Sequence, residues 1–266
     1  MIKIIVCLKL VMDPEAPLSL FKIDRDNMKP VPPEGLPPVM NPFDENALEA
    51  ALRIKDQIEC KVTVMSLGKS LPKAILLKSL AVGADELIAL EDPEFEQLDP
   101  FNTANALACA IKKNGEYDLI FTGRQAADWD AGLVWAGITE VLDLPSITLA
   151  RKADIHDGKA LIERVSSDGI DVLEVELPAL ISFSNEVGAL RNFSLPALVK
   201  AKKQGIIKWT GADIGWKKEE TVTMDDIYIP DLGMVDCHFI QGDNLEENGR
   251  KLALKLAESD LILEGI

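Results

Sequence analysis

Short apolar runs alternate along this chain with longer segments in which apolar positions return every three or four residues. Runs 2–8, 61–66, 86–90, 117–121 and 146–150 are mostly apolar and hold many Val, Ile and Leu residues. Runs of this kind read as strands buried on both faces of a sheet. Segments 44–55, 71–82 and 102–113 between them read as helices, and 133–142 follows the fourth strand as another. In the first, Ala47, Leu48, Ala51, Leu52 and Ile54 line one face toward a sheet. The alternation predicts an α/β fold, a doubly wound and mostly parallel sheet with right-handed crossovers. Ligands in such sheets sit beyond the C-terminal strand ends.

The rhythm changes after residue 145. Runs 159–166 and 169–177 flank Ser167-Asp168 and read as a hairpin, although their alternation is not clean. Run 180–184 reads as a further buried strand. Beyond Gly205 the periodicity fades, segment 208–231 is rich in Gly, Trp, Asp and Pro, and 244–257 reads as an amphipathic helix. Trp209, Trp216, Ile227, Tyr228, Ile229, Met234 and Phe239 make this extension too apolar for disorder. The expectation is an ordered arm that packs on a partner. Segment 14–40 carries Pro14, Pro17, Pro30, Pro32, Pro33, Pro37 and Pro38. A long loop of that kind is either functional or a plain surface excursion.

Composition narrows the function. The chain has 266 residues, 47% of them hydrophobic, enough for a large core. No apolar run is long enough to span a bilayer. The N-terminus enters a strand at once and lacks the layout of a signal peptide. The expectation is a soluble, unexported, cytoplasmic protein. The net charge of −16 argues against nucleic acid as a partner, because phosphate contacts need clustered Lys and Arg. Cys7, Cys60, Cys109 and Cys237 form no C-x-x-C pair and read as buried, reduced thiols. His156 and His238 stand alone, so no metal site is expected.

The most informative segment is 123–134: Gly123, Arg124, Gln125, Ala126, Ala127, Asp128, Trp129, Asp130, Ala131, Gly132, Leu133 and Val134. It joins a buried strand to a helix start, whose unpaired N–H groups favour an anion. Gln125 suits a ribose or phosphate, and Asp130 suits either that role or capping the next helix. Asp128 would repel a phosphate unless it faced hydroxyls or amides. Asn41, Pro42, Phe43 and Asp44 open the first helix, with Asn41 as its cap and Pro42 in its first turn. No G-x-G-x-x-G follows the first strand, and no P-loop or G-x-S-x-G occurs. No set of catalytic residues is found. The chain reads as one that binds a nucleotide without reacting on it.

Taken together, three motifs resemble the electron transfer flavoprotein β subunit. They are Asn41-Pro42-Phe43-Asp44 with Ala47–Arg53, Val82-Gly83-Ala84-Asp85, and Gly123–Asp128. Segment 195–203 is similar to the family's recognition loop, and the likeness runs to about residue 205. The resemblance implies an adenine nucleotide α-hydrolase-like domain over 1–205 and an arm over 206–266 that packs on an α subunit. It implies AMP in this subunit and the redox-active FAD in the α subunit of a heterodimer. The nucleotide residues it implies are Cys7, Asn41 to Asp44, Leu67 and Gly123 to Val134. It also implies docking of Leu195 into an acyl-CoA dehydrogenase-type flavoenzyme, steered by Lys200, Lys202 and Lys203. Electrons would pass on to a membrane quinone oxidoreductase. The chain departs from the family pattern at Trp129 to Leu133, where a nearby Gln is missing. Some members hold a second FAD in the β subunit and bifurcate electrons from NADH, typically with glycine at the Trp129 place. An indole there would crowd a flavin ring, stack on an adenine, or point away and leave room.

Overall fold

The computed structural model describes residues 1–229 and 237–258. In chain order the strands are β1 (Ile2–Cys7), β2 (Leu10–Val11), β3 (Lys22–Asp24), β4 (Lys29–Val31), β5 (Val39–Met40), β6 (Cys60–Gly68) and β7 (Glu86–Glu91). Then come β8 (Leu119–Gly123), β9 (Ser146–His156), β10 (Lys159–Ser166), β11 (Gly169–Glu176), β12 (Ala179–Phe183) and β13 (Ile207–Trp209). The helices are α1 (Pro42–Lys55), α2 (Lys73–Val82), α3 (Pro100–Asn114), α4 (Val134–Leu142), α5 (Leu195–Gln204) and α6 (Leu245–Glu258).

Nine strands form one sheet in the order β11-β10-β9-β12-β8-β1-β6-β7-β13. From β9 to β13 in that order neighbours run parallel, and β10 and β11 add an antiparallel edge. The α/β class and the parallel centre match the expectation from periodicity. The central strands are apolar on both faces because helices cover both. Alternate residues of each strand enter two separate cores. One lies under α1, α2 and α5 and takes Ile4, Val6, Phe121 and Phe183. The other lies under α3 and α4 and takes Ile5, Cys7, Met65 and Ile120. Gly137 lets α4 meet α3, since a Cβ there would lie 2.6 Å from the Ala104 Cβ.

Several details differ from the sequence-based expectation. Strand β9 runs on to His156 and carries a bulge opposite β10. Segment 14–40 is not a bare loop, because β3 and β4 pair as a small hairpin and β2 pairs with β5. Residues 195–204, expected as a loop, are helix α5. Beyond Gly205, β13 joins the main sheet beside β7, and Trp216 is buried against Phe95 with ring centroids 5.1 Å apart. So Trp209 and Trp216 are spent on the chain's own core. Met234 lies outside the described residues. Cys237 is exposed rather than buried.

By contact the chain divides into two units, Met1–Ile227 and Tyr228–Ile266. Within the second, α6 buries none of its residues, and Leu245, Leu252, Leu254 and Leu256 are exposed. Among the described residues, no helix is long and apolar enough to cross a membrane.

Candidate functional site

The sheet reverses its winding between β1 and β8. From β1 the chain moves to β6 and then β7 on one side, then returns to β8 on the other. Ile4, Ile5 and Val6 pair with Leu119, Ile120 and Phe121 across that switch. The connections leaving the two strand tips therefore part, and this switch point is where open α/β sheets bind their ligands.

Both sides of the crevice are stitched together by side chains. Asn41 is buried at the start of α1, yet its side chain does not cap the helix. Its Nδ2 donates to the Gln125 carbonyl at 2.8 Å, and its Oδ1 accepts from the Ala127 N–H at 3.0 Å. The helix's own backbone forgoes a cap so that the loop after β8 is held. Asp44 accepts from the Lys9 N–H at 2.7 Å and from the Gly123 N–H at 2.9 Å. Burial nonetheless pushes its carboxyl up to about 6. Gly123 must be glycine for this approach: a Cβ would lie 2.6 Å from both Asp44 Oδ1 and the Phe43 carbonyl carbon. The Arg124 guanidinium stacks 4.5 Å over the Phe43 ring.

Both acidic side chains of the segment have partners. Asp128 pairs with Lys9 Nζ at 2.7 Å, which removes the expected repulsion toward an anion. Gln125 donates to Asp130 at 2.7 Å. Asp130 therefore does not cap α4; Leu133 sits at that position and no side chain caps the helix. Gly132 turns the chain at φ 61°. Ala126 accepts a turn hydrogen bond from the Asp130 N–H, and Val134 packs on the second core. Pro42, Trp129, Ala131 and Leu133 lie at the exposed rim, with Trp129 at 52%.

What remains unspent is informative. Thr122 Oγ1, Ser182 Oγ, Ser66 Oγ and Arg124 Nε are buried without a hydrogen-bond partner. Thr122 and Ser182 are register partners at the strand tips. Strand alternation puts them on the face that also presents Cys7 and Leu67, the side of α3 and α4. Burial, with Asp44 nearby, raises the Cys7 thiol to about 12, so it stays a neutral thiol. Buried hydroxyls without partners are rare. The start of α4 also lacks a side-chain cap, and helix starts of that kind are where anions are received. Lys9, Thr122, Ser66 and Ser182 were not picked out from the sequence. The available signal was a polar residue at the C-terminal end of a buried run.

A second surface lies at α5. Ser194 caps the helix by accepting from the Ala197 N–H at 3.3 Å, and Pro196 sits in its first turn. Leu195 is 78% exposed and Val199, one turn on, is 53% exposed. Lys200, Lys202 and Lys203 are exposed on the same helix, and none makes an ion pair among the described residues.

A doubly wound, mostly parallel sheet with its switch point between β1 and β8 defines an α/β protein of the class that holds ligands beyond its strand tips. Residues 33–214 match the electron transfer flavoprotein domain. The chain is 40% identical over 180 residues to an electron transfer flavoprotein subunit beta of Thermoanaerobacterium thermosaccharolyticum, covering 68% of this chain and 69% of that one. It is 38% identical over 218 residues to the caffeyl-CoA reductase-Etf complex subunit CarD of Acetobacterium woodii, covering 82% and 81%. It is 35% identical over 219 residues to protein FixA of Sinorhizobium fredii, covering 80% and 75%. The chain belongs to the electron transfer flavoprotein β-subunit family. That membership implies flavin-based electron transfer and an α-subunit partner.

Proposed function

We propose that this chain is the nucleotide-holding and docking subunit of a heterodimeric electron transfer flavoprotein. AMP occupies the crevice, and the α subunit carries the FAD that accepts and gives electrons. The phosphate rests at the uncapped start of α4, and Thr122 and Ser182 offer hydroxyls to the nucleoside end. The observation that carries this reading is the double junction of Asn41 with the 125–127 backbone and Asp44 with Gly123. It holds two helix starts around one crevice while leaving the buried hydroxyls free. No acid, base or nucleophile is needed there, because the nucleotide is structural.

In this reading residues 1–205, with β13 and the stretch to Thr221 packed on them, form the nucleotide-binding domain, and the remainder of 206–266 reaches the α subunit as an arm. Leu195 anchors an acyl-CoA dehydrogenase-type flavoenzyme, and Lys200, Lys202 and Lys203 steer its approach. Electrons leave toward a membrane quinone oxidoreductase. A second reading places FAD in the crevice as the NADH-oxidising flavin of a bifurcating system. The exposure of Trp129 favours it to this extent: the indole does not fill the crevice.

The test is to purify the heterodimer, denature it and count released nucleotides. One FAD with one AMP is the expected result. Two FAD per heterodimer would overturn the AMP assignment in favour of the second reading.

A further inference from the structure

Helix α1 is gripped at two levels. Its first turn holds the loop after β8. Further along, it holds the chain that leads into α5. Asn46 donates its Nδ2 to the Gly188 carbonyl at 2.7 Å. Glu49 is 5% exposed although it is a carboxylate. Its Oε2 accepts from the Arg191 N–H at 3.1 Å and from Arg191 Nε at 3.0 Å. Its Oε1 accepts from Arg191 Nη2 at 3.2 Å and from Arg53 Nε at 3.1 Å. The Arg191 fork also reaches Asp56 just past the helix, with Nη1–Oδ1 at 3.1 Å and Nη2–Oδ2 at 2.8 Å.

A buried carboxylate is costly unless its lone pairs are met. Here burial by itself would raise the Glu49 carboxyl, yet the Arg191 side chain and backbone, with Arg53, hold it below its ordinary value. An apolar residue would fill the same space at lower cost to stability. What the ion network adds is direction, because a planar guanidinium fork fixes geometry. The bond from the Arg191 backbone fixes the chain itself, four residues before Leu195.

We propose that Glu49 and Arg191 are positioning residues for the docking helix, setting the path of residues 188–194 so that Leu195 and Val199 face outward before any partner arrives. The proposal rests on the docking role of Leu195 given above. Its physical effect is pre-organisation: an encounter need not order the segment first. Glu49 is too deeply buried to touch a partner, so it acts on the docking helix through the arginines it holds, Arg191 above all.

The test compares the wild-type heterodimer with Glu49→Gln, Arg191→Lys, Leu195→Ala and the double variant Glu49→Gln/Leu195→Ala. Amide hydrogen exchange reads residues 188–199, with β1 and β6 as folding controls. Steady-state reduction by a purified short-chain acyl-CoA dehydrogenase gives KM and kcat. Glu49→Gln and Arg191→Lys are expected to speed exchange in 188–199 about ten-fold with the control strands unchanged. Both are expected to raise KM by roughly ten-fold with little change in kcat. The double variant should be no worse than Leu195→Ala alone, since orientation matters only while the anchor is present. Unchanged exchange in 188–199 overturns the proposal, and so does faster exchange across the whole sheet or additive KM effects in the double variant. If Leu195→Ala leaves KM untouched, the docking reading itself fails and takes the proposal with it.

Discussion

Asp44 occupies the tightest point of the crevice, where Gly123 leaves no room for a Cβ and the Lys9 and Gly123 N–H groups converge on one carboxylate. Desolvation dominates, and it raises the carboxyl from 3.8 to about 6 despite those donors. The folded state thus holds the proton more tightly than the unfolded chain does. The stability linked to it is full below roughly pH 4 and is lost as pH rises through the folded value. Denaturant titrations of wild type and Asp44→Asn across this window should give a difference that falls with rising pH by on the order of 1–3 kcal/mol. A difference flat with pH would contradict a buried, proton-holding Asp44. At this scale the sequence placed Asn41 and Asp44 at the start of α1 but assigned Asn41 the wrong partner. An Asn before a Pro at a helix start is read as a cap from local spacing alone. The loop that takes its side chain instead lies 84 residues away in the chain.

The elements were legible where a segment's pattern is set by burial on the sheet. Apart from β9, which runs on to His156, the main-sheet strands through β12 and helices α1 to α4 lie close to their predicted positions, because apolar runs and helical spacing reflect which faces pack. Short or nonlocal elements were not. Strand β13 spans Ile207–Trp209 and exists only because β7 offers an open edge. The stretch after it has no periodicity, yet it is fastened to the start of α3. Asn102 is fully buried; its Oδ1 accepts from the Glu219 N–H and its Nδ2 donates to the Glu219 carbonyl, both at 2.9 Å. Thr221 donates to Asp99 at 2.6 Å. Asn102→Ala should therefore cost about 1–3 kcal/mol, since it removes the paired hydrogen bonds that a fully buried amide makes to Glu219. Limited trypsin digestion at Lys217 and Lys218 should accelerate in the same variant. Digestion at the wild-type rate would show that this strap is held elsewhere. Helix α5 escaped notice for a different reason: Ser194 and Pro196 signal a start, but only Ala201 in it is buried, so no apolar stripe announces it.

At the scale of the whole molecule, a charge of −16 coexists with an exposed corner bearing Lys200, Lys202 and Lys203. If the flavoenzyme proposed above docks here, those lysines would steer an acidic partner toward this corner. Stopped-flow association with the dehydrogenase should slow as ionic strength rises. Replacing all three by Gln should lower the low-salt rate by on the order of ten-fold and flatten that salt dependence. A salt slope equal to wild type would remove the steering role. The sequence by itself determined the α/β class, the parallel centre, the two helix starts at the crevice and the family. Each of these follows from burial patterns and short motifs, which are local properties of the chain. Only the tertiary structure decided which polar groups stay unspent at the strand tips, where Asn41 sends its side chain, and how Glu49 holds Arg191. Those outcomes depend on which distant atoms meet, and spacing along a chain carries no record of that.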